Sequence, residues 1–129
     1  MTPDLIDIAR RAVACPRFRW LPGMCGCRWS EYDVLWRTSR VSTLPERGTF
    51  WLAEGWVPDL TDPATLGCLL ALVREAWRDP RLVAIYCEPA HPGQSEGWAV
   101  QSADNRMPVA GEDYATEAAA LVAALEAAP

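Results

Sequence analysis

The chain lacks the residues and motifs on which several classes of function depend. It has no lysine and a single histidine, His91, which lies in a Pro-Ala-His-Pro-Gly segment typical of a turn. Because there is also no Gly-x-Ser-x-Gly elbow, the sequence has no recognisable catalytic triad. It has neither a P-loop nor a Gly-x-Gly-x-x-Gly turn, so the standard phosphate cradles for triphosphates and dinucleotides are absent. We therefore expect a protein that is not an enzyme and that carries no cofactor.

Long hydrophobic runs are missing as well. The longest nearly apolar run, residues 66–73, is far shorter than the roughly 20 residues that cross a bilayer. The first residues carry acids before arginines, the reverse of a signal peptide. These features predict a cytosolic protein without a membrane partner, in which the five cysteines stay reduced.

Only two of the cysteines, Cys25 and Cys27, are closely spaced. If they lie in a strand, both face the same side. Zinc sites use such a pair together with a second pair or with histidines, and the other cysteines of this chain are isolated. The favoured interpretation is a sulfur-lined core face; a zinc site with two distant thiols and thiol chemistry are the alternatives.

Composition predicts one folded domain that does not bind nucleic acid in general. The 129 residues are 50% hydrophobic and 22% charged, with a net charge of −5. A net acidic chain cannot neutralise a phosphate backbone over a wide surface. Charge is uneven, however: residues 10–47 hold eight arginines and three acids, whereas residues 48–129 hold four arginines and twelve acids. The basic segment is suited to a small anion.

Capping residues and apolar spacing predict three helices. Thr2 caps the first helix, which ends near residue 15; Asp62 caps the second, which ends before Pro80; and Thr116 caps the third. One face of the third helix is apolar and consists of Ala118, Leu121, Val122 and Leu125.

Strands are predicted between these helices, over residues 24–29, 32–38, 50–57, 82–88, 97–101 and 107–110, with a loop over residues 39–49. The order of elements predicts an α+β fold. It consists of a mostly antiparallel sheet of four to six strands packed with about three helices in a single domain, residues 1–129.

Arginine and aromatic residues alternate through the basic segment. Indole faces stack on bases and guanidinium groups bind phosphates, so this pattern is typical of a pocket for a nucleotide-like anion. The favoured explanation of the pattern is that most tryptophans are in the core and the arginines extend outward from the same strands; the binding surface is the alternative. The alternation of a strand over residues 24–29 places Arg28 on the side opposite Cys25 and Cys27. The predicted ligand-binding residues are Arg28, Trp29, Arg37, Arg40, Arg47, Trp51 and Trp56.

Two segments carry a resemblance to known proteins. PDLTDPATLGCLLALVREAW, residues 58–77, and TEAAALVAALEAA, residues 116–128, resemble small accessory proteins of tailed phages and prophages of GC-rich bacteria. The architecture is also distantly similar to NinX-like phage proteins. Since the matching segments are helix and core, the resemblance implies a setting and transfers no site residue.

That setting implies a non-structural phage protein acting in the host cell cytoplasm. Such proteins often counteract host defence, so we expect a non-enzymatic protein that binds and sequesters a nucleotide-derived immune signal. One alternative is a protein inhibitor of a host defence complex, similar to an anti-CRISPR, that uses the acidic half of the chain. Another is a small metal or thiol enzyme. The sequence leaves a homo-oligomer open.

Overall fold

The computed structural model describes residues 1–29, 35–41, 55–104 and 107–129, with the backbone alone at residues 29 and 35–39. Within these ranges the protein is α+β, as predicted. Its elements are α1 (Pro3–Ala14), β1 (Cys25–Trp29), β2 (Leu35–Arg40), β3 (Val57–Pro58), α2 (Pro63–Trp77), β4 (Leu82–Cys87), β5 (Gly97–Ser102) and α3 (Glu117–Ala127). The chain divides into two compact units, Met1–Cys68 and Leu69–Pro129, with the boundary inside α2. None of these three helices is long and apolar enough to cross a membrane.

The described strands form two sheets, so the prediction of one sheet with four to six strands is wrong. One sheet has three antiparallel strands in the order β2-β1-β3, and the other pairs β4 with β5. β3 has only two residues, and contact with β1 continues just beyond it, where Asp59 N donates to Cys25 O at 2.8 Å. The strand predicted over residues 107–110 is reduced to an isolated bridge between Pro108 and Gln101.

The three predicted helices are confirmed together with their capping residues. The side chains of Thr2, Asp62 and Thr116 each accept a hydrogen bond from the backbone N–H three residues further on, at 3.3, 2.9 and 3.1 Å. Each bond satisfies one of the N–H groups that the first turn of a helix leaves without a partner. The caps could be predicted because they are contacts within three residues.

The first unit packs α1 close to β3, with Ala9 and Ala12 of the helix fully buried. Pairing of β1 with β2 continues beyond the strands, since Val41 N donates to Met24 O at 2.7 Å. The loop predicted from residue 39 therefore starts later than expected. Residues 42–49, and the parts of the predicted strands over residues 32–34 and 50–54, lie outside the described ranges.

The second unit contains the β4–β5 hairpin, which has six residue pairs in continuous register, and α3 packs on both strands. Trp77 Nε1 donates to Ala124 O at 2.8 Å, and Arg74 Nε donates to Leu82 O at 2.8 Å. These bonds connect the end of α2 to α3 and to the start of β4. The apolar face predicted for α3 is confirmed, because all four of its residues are buried.

Candidate functional site

The side chains of β1 alternate between the core and the solvent as the sequence predicted. Cys27 is 1% exposed, whereas the next residue, Arg28, is exposed. An ideal Cβ built on Gly55 would lie 3.6 Å from Arg28 Nε, so the Arg28 side chain extends toward the turn that precedes β3. The strand therefore presents a cation on the face opposite its buried thiol.

Two predicted site residues, Arg28 and Arg37, are brought together by the register of β1 and β2. They are direct cross-strand partners in the antiparallel pair. Residues opposite each other in such a pair lie on the same face of the sheet, with Cβ atoms about 4.5–5.5 Å apart. The register shifts between Arg28 and Trp29, so that Trp29 is opposite Leu35. Arg28 and Arg37 therefore occupy adjacent positions in the sheet, although they are nine positions apart along the chain.

Arg40, which was also predicted to bind a ligand, is bound within the protein. Its Nη1 donates to Gly23 O at 2.6 Å and to Asp62 Oδ2 at 3.1 Å, and its Nη2 donates to Asp62 Oδ1 at 2.9 Å. Such a two-pronged contact is the strongest arrangement of arginine and carboxylate. The contact connects the end of β2 to the residue that caps α2, which gives Arg40 a structural role.

Asp62 is the centre of this polar network. Its Oδ2 also accepts hydrogen bonds from Thr65 N and Thr65 Oγ1, and Thr65 Oγ1 accepts one from Cys25 N at 2.8 Å. The Arg40 guanidinium and then the Thr65 donors lower the pKa of Asp62 from 3.8 to about 2, while the same carboxylate raises the pKa of Arg40. One carboxylate therefore connects β1, β2 and α2. The sequence identified Asp62 only as a cap, because no pattern links it to an arginine 22 residues away.

The remaining predicted site residues do not form a described surface. Trp56 is 4% exposed and belongs to the core, which supports packing as the explanation for this tryptophan. Trp29 ends β1, and its side chain lies outside the description. Arg47 and Trp51 also lie outside the described residues. The described part of the candidate site is therefore the Arg28–Arg37 pair.

Among the cysteines, Cys27 gives the clearest support for the interpretation that the thiols pack in the core. Burial, followed by the charges of Asp59 and Cys25, raises the pKa of the Cys27 thiol from 9.0 to about 11. At neutral pH this thiol is protonated and therefore a poor nucleophile. All five cysteines lie in the described ranges, and none forms a disulfide. Within those ranges no three Cys, His, Asp or Glu side chains cluster closely enough to hold a metal ion.

Comparison of the chain with protein-family models, with curated proteins and with solved structures found no match.

Proposed function

We propose that the protein is a non-enzymatic binder of a nucleotide-derived anion and that the Arg28–Arg37 pair contacts the phosphate of this ligand. In the phage setting that the sequence resemblance implies, it would sequester a host immune signal in the host cell cytoplasm. The observation that carries the proposal is the register of β1 and β2, which places the two arginines directly opposite each other. Arg28 is exposed, so one member of the pair is accessible to solvent.

Electrostatics explain why this pair is suited to an anion. Like charges directly opposite each other in a sheet are unfavourable to each other, whereas an anion bound across the pair interacts favourably with both. Guanidinium groups also match phosphate oxygens with pairs of parallel hydrogen bonds.

The states of Cys27 and His91 support binding rather than catalysis at these two residues. The Cys27 thiol is protonated at neutral pH because its pKa is raised to about 11. His91 is exposed, and its carbonyl accepts a hydrogen bond from Gln94 N within a turn.

Thermal shift and calorimetry with a panel of cyclic oligonucleotides and ADP-ribose derivatives test the proposal. We expect one member of the panel to stabilise the protein, and Arg28→Ala and Arg37→Ala each to weaken its binding by about 10-fold or more. Arg28→Lys should recover only part of the affinity, since lysine keeps the charge and loses the planar fork.

Arg10→Ala is the matched control, because it removes the same charge from an exposed position on α1. It should leave the affinity unchanged. If no member of the panel binds, or if the double variant at Arg28 and Arg37 binds as tightly as the wild type, the proposal is wrong.

The acidic surface of the second unit favours a second candidate function, inhibition of a host defence protein by covering its basic surface. Retention of a defence protein from infected cells, lost when acidic residues are neutralised, would support it. The exposed acids of this unit include Glu75, Glu88, Glu96, Asp104, Glu112, Asp113 and Glu126.

A further inference from the structure

β4 is an edge strand of the two-stranded sheet, and its pairing with β5 determines which of its backbone groups point outward. Ala103 N donates to Arg81 O at 3.1 Å, and the register pairs Leu82 with Ser102 and Cys87 with Gly97. In an antiparallel pair, hydrogen-bonded and non-hydrogen-bonded residue pairs alternate. The odd-numbered residues of β4 therefore bond to β5, and its even-numbered residues direct their N–H and C=O groups away from it.

The outer edge of β5 confirms this alternation. Trp98 N donates to Tyr114 O at 2.8 Å, Tyr114 N donates to Trp98 O at 3.1 Å, and Val109 N donates to Val100 O at 2.9 Å. The even-numbered residues Trp98 and Val100 thus bond outward, to the segment that follows β5. This segment covers the outer edge of β5.

The corresponding edge of β4 is open within the described part of the chain. Leu82 O accepts a hydrogen bond from Arg74 Nε, but the backbone groups of Ala84 and Tyr86 have no partner among the described residues. Natural sheets usually protect such edges with charged residues, proline or a bulge. β4 has the sequence LVAIYC and none of these features. Its Tyr86 side chain is 45% exposed.

We propose that this edge pairs with the same edge of a second copy of the chain, antiparallel about a two-fold axis at Ile85. The two open residues, Ala84 and Tyr86, lie on either side of Ile85. The rotation therefore places Ala84 opposite Tyr86 of the partner subunit and Tyr86 opposite Ala84 of the partner subunit. A two-fold interface must be self-complementary in this way. All open N–H and C=O groups of both residues are then satisfied, and the two hairpins form one continuous four-stranded sheet.

Side chains and charges fit this register. Tyr86 and Ala84 share one face of β4, so each exposed tyrosine ring lies beside the small alanine of the partner subunit. The ring is already held in place, since Tyr86 Oη donates to Glu96 Oε1 at 2.5 Å and the ring makes an edge-to-face contact with Trp98 at 5.8 Å between centroids. The flanking Glu88 falls opposite Leu82 of the partner subunit. No two like charges oppose each other along the paired strands.

An interface made mainly by one pair of six-residue strands is small, and interfaces below about 1,200 Å² belong to weak and transient complexes. We therefore expect a dimer that depends on concentration, measured by sedimentation velocity on the full chain from about 5 µM to about 500 µM, the range over which weak dimers dissociate.

Ala84→Pro is the decisive variant. It removes an outward N–H in each copy and leaves the β4–β5 ladder intact, and proline is tolerated at such positions of edge strands. It should raise the dissociation constant by roughly 10-fold or more, since two hydrogen bonds are lost. Ala84→Ser keeps the N–H and should dimerise like the wild type. Circular dichroism establishes that each variant is folded.

Hydrogen exchange provides a readout that needs no variant. The amides of Ala84 and Tyr86 should become protected as the concentration rises, while those of Val83 and Ile85 are protected at every concentration. A wild type that is monomeric at the highest concentration overturns the proposal, as does a dimer that folded Ala84→Pro leaves unchanged. Pairing of this edge only with a different protein overturns it too. Because Arg28 and Arg37 lie in the other unit, failure here and failure of anion binding are separate results.

Discussion

Replacement of Asp62 with alanine removes four hydrogen bonds at once, two from Arg40 and two from Thr65. Loss of a helix cap costs about 1 kcal/mol, and loss of a carboxylate that accepts charged hydrogen bonds costs about 1–2 kcal/mol more. The Asp62 side chain is only 16% exposed, so water compensates little for the lost partners. We therefore expect Asp62→Ala to lower the free energy of unfolding by about 2–3 kcal/mol at pH 7.

The same network predicts how stability depends on pH. The pKa of Asp62 is about 2 in the folded protein against an ordinary value of 3.8. Because the folded pKa is the lower one, the stabilisation is complete above pH 3.8 and is lost as the pH falls through 2. The difference corresponds to about 2 kcal/mol, reduced by screening because Arg40 is half exposed. Asp62→Asn keeps the shape and a capping oxygen, so it should abolish this part of the pH dependence and cost less than alanine.

Urea unfolding followed by tryptophan fluorescence at pH 7, and again between pH 4 and 2, measures both effects. Asp7→Ala is the control: Asp7 forms a 3.2 Å ion pair with Arg10, but both side chains are more than half exposed. Such a surface pair contributes only a few tenths of a kcal/mol. If Asp62→Ala costs no more than Asp7→Ala, or if Asp62→Asn has the same acid dependence as the wild type, the network does not stabilise the fold as described.

Three further predictions rest on burial and backbone geometry. Gly97→Ala should destabilise the protein by more than about 1 kcal/mol in urea unfolding, since its φ is +147° and an added Cβ would lie 2.6 Å from Asp113 backbone atoms. Gly67→Ala should instead stabilise the protein by about 0.5–1 kcal/mol, because an added Cβ would meet no atom within 4 Å in α2. The two glycine variants should therefore change the free energy of unfolding in opposite directions. The Cys27 thiol, with its pKa at about 11, should resist alkylation at pH 8 in the folded protein and react in urea. Mass spectrometry of the alkylated peptides measures this, and the prediction is wrong if Cys27 is the first cysteine of the folded protein to react.

Local contacts explain why the helices could be predicted and the sheets could not. Thr2, Asp62 and Thr116 are each capping residues that act within three positions, and a periodic apolar face follows each of them. The sheets depend instead on pairings between distant segments. The segment around Pro108 shows the limit most clearly, because its pattern predicts a strand over residues 107–110 but the structure has only an isolated bridge to Gln101 there.

The candidate site could be predicted from the sequence only where it depends on strand alternation. Strand alternation correctly places Arg28 on the side opposite Cys27, since that needs only the period of a strand. Its pairing with Arg37 depends on the register of the hairpin and on the irregularity between Arg28 and Trp29. Neither can be obtained from alternation, because a shift of one residue moves every side chain to the other face.

Composition treats the arginines of the basic segment as equivalent, whereas the structure gives them different positions. Arg40 ends its strand beside Asp62 and is bound by it, while Arg28 is exposed in β1 opposite Arg37. Loss of ligand binding in Arg40→Ala would therefore not identify Arg40 as a ligand contact, since the variant also loosens the cap of α2. Binding has to be compared at a temperature where Arg40→Ala is fully folded. Under that condition we expect its affinity to return to the wild-type value, whereas the loss caused by Arg28→Ala should persist.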